Sequence, residues 1–135
     1  AWGSYQSPSQ PSFPRPFEFI LIFSKKELKL QSKGLTDLTK KQFADWSYGL
    51  WTIKPETKKS GHPAAFPIEL PLRCIKMLSW QKSIVYDPFM GSGTTAIACK
   101  LTDRTFVGSE IDSLYCEIAK NKIMQYNDFS ENSFF

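Results

Sequence analysis

Gly91 and Gly93 bracket a serine four residues after the end of the short segment Ser83–Asp87, and a carboxylate, Glu110, follows 19 positions after Gly91. A glycine-rich turn between a strand and a helix lets backbone approach a ligand closely. It also leaves the first N–H groups of the helix open to a carboxylate or phosphate. A carboxylate at the end of the following strand suits a ribose, because it accepts hydrogen bonds from both hydroxyls. Together these residues point to a nucleoside-containing ligand. They do not meet the G-x-x-x-x-G-K-[ST] pattern of nucleoside triphosphatases, since no lysine follows Gly93. The dinucleotide pattern G-x-G-x-x-G/A is formally met by Gly91, Gly93 and Ala96. A nicotinamide-dependent oxidoreductase therefore stays open at this point, as does a tight turn that simply needs small residues. Asp87 has an equally plain structural use, capping the next turn through its side chain.

The elements that must hold these residues follow from hydrophobic patterning. Ser83–Asp87 and Thr105–Glu110 read as two short strands, and Thr94–Leu101 as the helix between them. That order makes a βαβ unit with parallel strands, whose ligands sit at the carboxyl ends of the strands. Ile68–Ser79 reads as a preceding helix with Ile68, Leu72, Ile75 and Leu78 along one side, and Pro71 tolerated in its first turn. Asp112 is placed to cap a last helix carrying Tyr115, Ala119, Ile123 and Tyr126. Upstream, Thr39 and Gln42 fit a capping box, and Phe43, Trp46 and Leu50 form a stripe expected to be local core. Phe17–Ser24 is apolar on both alternating faces, as in a strand covered on both sides. The first 16 residues carry four prolines, which exclude a regular helix.

Composition narrows the classes. Of 135 residues, 41% are apolar and 15% aromatic, too many for an intrinsically disordered chain. The longest apolar run, Phe19–Phe23, is far too short for a membrane-spanning helix, and no basic n-region with an apolar h-region opens the chain. Cys74, Cys99 and Cys116 form neither a CxxC pair nor a disulfide framework, so a zinc ribbon is excluded and a reducing cytoplasm is expected. The net charge of +4 is concentrated: Lys25 to Lys59 holds nine of the 17 basic residues against four acidic ones. Such a segment is either a solvated polar face or a surface whose lysines neutralise phosphates and release counterions.

DPFMGSGTT (87–95), with HPAAFPIEL (62–70) upstream and SEID (109–112) downstream, closely resembles the DNA amino-methyltransferases. These transfer a methyl group from S-adenosylmethionine to the exocyclic amine of adenine or cytosine. The resemblance is to the circularly permuted class, in which the cofactor motifs follow the recognition region. It runs from Gly3 to Met124, with GSYQSPSQPSFPRPFEFILIFSK similar to the loop and strand before that region and LTDLTKKQFADWSYGLWTIKPE similar to a connector. It implies an α/β, partial Rossmann-like methyltransferase fold with a mostly parallel sheet. The implied divisions are a loop and strand (1–30), a basic, DNA-facing connector (31–61), a cofactor-binding βαβ unit (62–127) and a tail (128–135).

The same resemblance implies roles. Asp87, Pro88, Phe89 and the turn Gly91, Ser92, Gly93, Thr94 would surround the methionine part of S-adenosylmethionine, with Glu110 on the ribose and Ile111 against the adenine. His62 and Phe66 would close the other side, although a loop histidine and a core phenylalanine explain them equally well. Ser7, Lys25, Lys26, Lys40, Lys41, Lys58 and Lys59 are the expected contacts to double-stranded DNA. No metal is implied.

The family's catalytic motif, (Asp/Asn/Ser)-Pro-Pro-aromatic, has no counterpart here, because the chain contains no Pro-Pro pair. In that motif polar acceptors hold the amine and the aromatic stacks on a flipped base. No catalytic residue is therefore expected in this chain. It reads as the carboxyl-terminal part of a restriction-modification methyltransferase, expected to be inactive without a complementary chain or segment carrying the motif. The alternative is a non-catalytic DNA-binding or regulatory subunit.

Overall fold

The computed structural model describes residues 17–30, 33–55 and 66–132, with side chains described up to Tyr126 in the last segment. The chain divides into two compact units, Ala1–Ser32 and Lys33–Phe135.

In the first unit, the described residues 17–30 form no strand, contrary to the alternation of Phe17–Ser24. A strand is a ladder and needs a neighbour to exchange hydrogen bonds with; apolar alternation alone supplies only suitable side chains. Phe17, Phe19, Leu21 and Phe23 are all exposed. Phe17 meets Phe19 edge-on, with ring centroids 5.3 Å apart.

In the second unit the helices are α1 (Lys40–Trp46), α2 (Glu69–Leu78), α3 (Thr94–Leu101) and α4 (Ser113–Asn132), and the strands are β1 (Ile84–Asp87) and β2 (Thr105–Gly108). The strands pair in parallel, with Val85 opposite Phe106 and Tyr86 opposite Val107. α3 supplies the crossover, as a parallel pair requires. Its sequence TTAIACKL is small and apolar, so Thr95 through Cys99 are all buried. Ile75 of α2, Ala98 and Cys99 form the core, with Leu72, Val85 and Phe106 packed against them. The opposite face of the sheet is bare among the described residues: Ile84 is 71% and Tyr86 62% exposed.

Local signals held where they were expected. The Thr39 hydroxyl accepts from the Gln42 amide and the Gln42 side chain accepts from the Thr39 amide, each at 3.1 Å. Asp112 Oδ1 accepts from Leu114 N–H at 2.8 Å and caps α4. The stripe of Phe43, Trp46 and Leu50 departs from expectation: α1 ends at Trp46, Phe43 and Leu50 are exposed, and of the three only Trp46 is half-buried. Ile68 and Leu78, at the two ends of the α2 stripe, are likewise exposed.

Cys99 is fully enclosed. Burial pushes its thiol up to about 11, against the lowering influence of Arg104 and with a smaller raising contribution from Asp87. A thiol whose folded value lies above its unfolded 9.0 contributes stability in full below pH 9 and loses it as pH rises through about 11. The difference in thermal midpoint between the chain and its Cys99→Ala variant, followed from about pH 8 to 11.5, should therefore shrink across that window. Unchanged spacing between the two curves would show that the thiol is not shielded.

Candidate cofactor site

The site lies where β1 and β2 end. Beyond the strands the pairing continues through Ser109 N–H to the Asp87 carbonyl (3.1 Å) and Met90 N–H to the Ser109 carbonyl (2.9 Å). This brings the glycine-rich turn alongside Glu110. The Gly91 N–H donates to Glu110 Oε2 at 2.8 Å, and the Asp112 N–H donates to Oε1 at 3.0 Å. Each carboxylate oxygen is thus oriented by one backbone amide. An ionised carboxylate has about four acceptor sites, so the same oxygens can also accept from a ligand diol.

Gly93 opens α3 with a left-handed backbone, φ 82° and ψ 20°, and contributes no capping side chain. The first amides of a helix have no partner within it, so this end is suited to an anionic group. Ser92 and Thr95 are buried beneath the turn, and Thr94 is half-buried. Asp87 Oδ1 accepts from the Phe89 N–H at 2.9 Å, which is the turn-capping use open to it from sequence. Phe89 is 85% exposed and Ile111 fully exposed, so both present apolar surface beside the strand ends. Phe66 is also exposed, just before α2. The structure thus brings Asp87 to Thr94 and Glu110 together. His62, Ser7, Lys58 and Lys59 lie outside the described residues. Lys25 and Lys26 in the first unit, and Lys40 and Lys41 in the second, are exposed.

A DNA methylase family profile, that of the N6/N4 methylases, matches residues 2–121. The chain belongs to the N6/N4 DNA methylase family. Membership sets aside the dinucleotide-dependent oxidoreductase that the G-x-G-x-x-A spacing left open. Among relatives, the methylase chain is 37% identical over 108 residues to the type II methyltransferase M.BglI of Bacillus subtilis, covering 79% of this chain and 30% of that one. It is 37% identical over 117 residues to the type II methyltransferase M.MjaI of Methanocaldococcus jannaschii, covering 78% and 38%. Among solved structures it superposes on TTHA0409 of Thermus thermophilus, assigned as a DNA modification methylase and complexed with S-adenosyl-L-methionine. That match has a TM-score of 0.57 at 31% identity and covers 66% of this chain and 34% of that one. The methylase chain spans about a third of the length of the curated relatives it matches.

Sequence reasoning missed the polar groups at the other end of the strands from the site. Arg104, directly before the second predicted strand, has a fully buried side chain. It donates to Asp37 Oδ1 at 2.7 Å, to the Ser79 carbonyl at 2.7 Å, to Ser79 Oγ at 3.3 Å and to the Thr102 carbonyl. Asp37 also pairs with Lys76 at 3.5 Å. The available signal was Asp37 as one of only four acidic residues in a lysine-rich segment. Its partner, 67 positions away, was not legible. Among the described residues no cluster of His, Cys, Asp or Glu could hold a metal ion, and no helix is long and apolar enough to cross a membrane.

Proposed function

We propose that this chain is the cofactor-holding part of a DNA amino-methyltransferase that acts on the exocyclic amine of adenine or cytosine. The observation that carries the reading is the Glu110 carboxylate held by the Gly91 and Asp112 amides at the ends of two parallel strands. The donor set fits S-adenosylmethionine. Glu110 is oriented for a ribose diol, and the uncapped start of α3, with Thr94, is suited to an amino-acid carboxylate. Ile111 offers exposed apolar surface to an adenine, and Phe89 does so to the methionine part. When bound, the cofactor supplies an electrophilic methyl group. The residues of this chain bind and orient it, and alignment of amine, methyl and sulfur is a large part of such catalysis. Lys25, Lys26, Lys40 and Lys41 supply phosphate contacts, as do Lys58, Lys59 and Ser7 in the same reading.

Calorimetry with S-adenosylmethionine tests the first part. Glu110→Gln leaves one carbonyl oxygen and no charge, so affinity should fall about tenfold to a hundredfold, the worth of one charge-assisted hydrogen bond at ~1.5–3 kcal/mol. Equal affinity for both proteins would remove Glu110 from the site.

The partner in this reading is a polypeptide carrying the Pro-Pro-aromatic motif. Among the described residues, the bare face of Ile84 and Tyr86 and the unpaired edges of a two-stranded sheet favour covering by further strands and helices. The chain alone should self-associate in sedimentation runs, and co-expression with such a polypeptide should yield methyl transfer to DNA. A monodisperse, cooperatively melting monomer would argue against the missing strands. Cofactor and DNA binding that never yields methyl transfer would favour a non-catalytic subunit.

A further inference from the structure

α2 carries Arg73 and Lys76 three positions apart, hence on one face of the helix. On a DNA-binding protein such a face invites assignment to phosphate contact. Here it is turned inward and used up. The Arg73 guanidinium lies between two indoles, 5.5 Å from the Trp46 ring and 5.4 Å from the Trp51 ring. Lys76 Nζ donates to Gln42 Oε1 at 3.1 Å and pairs with Asp37. Both cations of α2 therefore grip the segment 33–55. Arg104, which grips Asp37 from the other side, stands immediately before β2, the strand that leads to Glu110.

We propose that Asp37 is a positioning residue: it seats the lysine-bearing segment 33–55 on the cofactor-holding unit, so that Lys40 and Lys41 are presented to DNA in fixed relation to the strand ends. The proposal rests on the reading of the cofactor unit and of those lysines given above. One carboxylate neutralises two cations, one fully buried and the other nearly so. Without its charge, Arg104 and Lys76 face each other with only dipoles between them, and water must enter to screen them. The side that opens is decided by burial. α1 has no buried residue, whereas α3 has five. A seven-residue helix has almost no stability of its own, so α1 stays ordered only while docked.

Amide hydrogen exchange on the 135-residue chain and its Asp37→Asn variant tests this. The amides of Phe43 to Ser47 should exchange at least tenfold faster in the variant, with those of Ala96 to Cys99 unchanged, and Asp37→Glu should restore most of the protection. Should the Asn variant fail to fold, Lys76→Met removes both ties of Lys76 and leaves Asp37 on Arg104; it should show the same selective acceleration. Equal acceleration of α1 and α3, or none in α1, would overturn the proposal. Fluorescence anisotropy with a non-specific duplex separates it from the reading it rests on. Lys40→Gln/Lys41→Gln should flatten the dependence of log K on log salt by about 0.9 per phosphate lost, and Asp37→Asn should flatten it similarly. If the lysine substitutions change nothing while the exchange result holds, the DNA reading fails and the seating role of Asp37 stands. If they flatten it while Asp37→Asn does not, the seating proposal fails.

Discussion

Arg104→Met should cost the second unit about 3–5 kcal/mol, the range found when one partner of a buried ion pair is removed. The guanidinium donates to three separate segments, at Asp37, Ser79 and Thr102. Its loss leaves the Ser79 and Thr102 carbonyls and Asp37 Oδ1 without the guanidinium donor, and a buried group left unmet costs about 1–3 kcal/mol. Lys76 still faces Asp37 and recovers part of that loss. A small domain has roughly 5–15 kcal/mol in total, and among the described residues the buried apolar ones are few: Pro71, Ile75, Ala96, Ile97, Ala98, Cys99 and Ala119. The loss should therefore bring the urea midpoint close to zero. Arg73→Met is the matched control, because the two arginines differ in how they are held. Arg73 stacks on two indoles and pairs with exposed Glu69, while its Nε is buried without a hydrogen-bond partner. Stacking is worth about 0.5–2 kcal/mol and the ion pair less than ~1. A methionine stem keeps much of the packing and removes the unmet donor, so its net cost should be about 1 kcal/mol or less. Comparable losses in the two variants would show that the Arg104 network is open to water.

The contrast between these arginines also marks what could be read from sequence. Signals that act within a few residues were legible: the Thr39 capping box, the Asp112 cap, and the strand, turn and helix running from Ile84 to Leu101. The site was legible to the same extent. The spacing of Gly91 and Glu110 across one βαβ unit leaves little freedom in where they meet, and they do meet. The turn-capping use of Asp87 was legible too, and its side chain accepts from the Phe89 N–H as that reading has it. Features that depend on distant partners were lost altogether. The alternation of Phe17–Ser24 says that a strand is possible, but only a neighbouring strand makes one. Trp46 was read as apolar core, and it found a cation on α2, well beyond the reach of any local pattern. Nothing in the residues around Arg104 names Asp37, because an ion pair closes over whatever loop the fold permits.

Gly93→Ala should destabilise the second unit by about 2–5 kcal/mol and disturb the cofactor site, whereas Gly49→Ala should cost only about 1–2. The two glycines have the same left-handed backbone, with φ of 82° and 83°. An L-residue there brings Cβ against the following carbonyl, at roughly 1–2 kcal/mol in either position. They differ in what the new methyl group meets. At Gly49 nothing lies within 4 Å. At Gly93 the methyl group would stand 3.1 Å from Ala119 Cβ and 3.3 Å from its Cα. Ala119 is buried in α4, so relief requires α3 and α4 to part by a few tenths of an ångström. Overpacking of this kind typically costs about 1–3 kcal/mol. The turn that orients Glu110 is anchored to the start of α3, so the shift also reaches the Gly91 amide. Measuring both variants by urea denaturation subtracts the backbone strain and leaves the helix contact. A difference near zero would mean that the α3–α4 seam yields freely, and the glycine would then be required for its backbone angle alone.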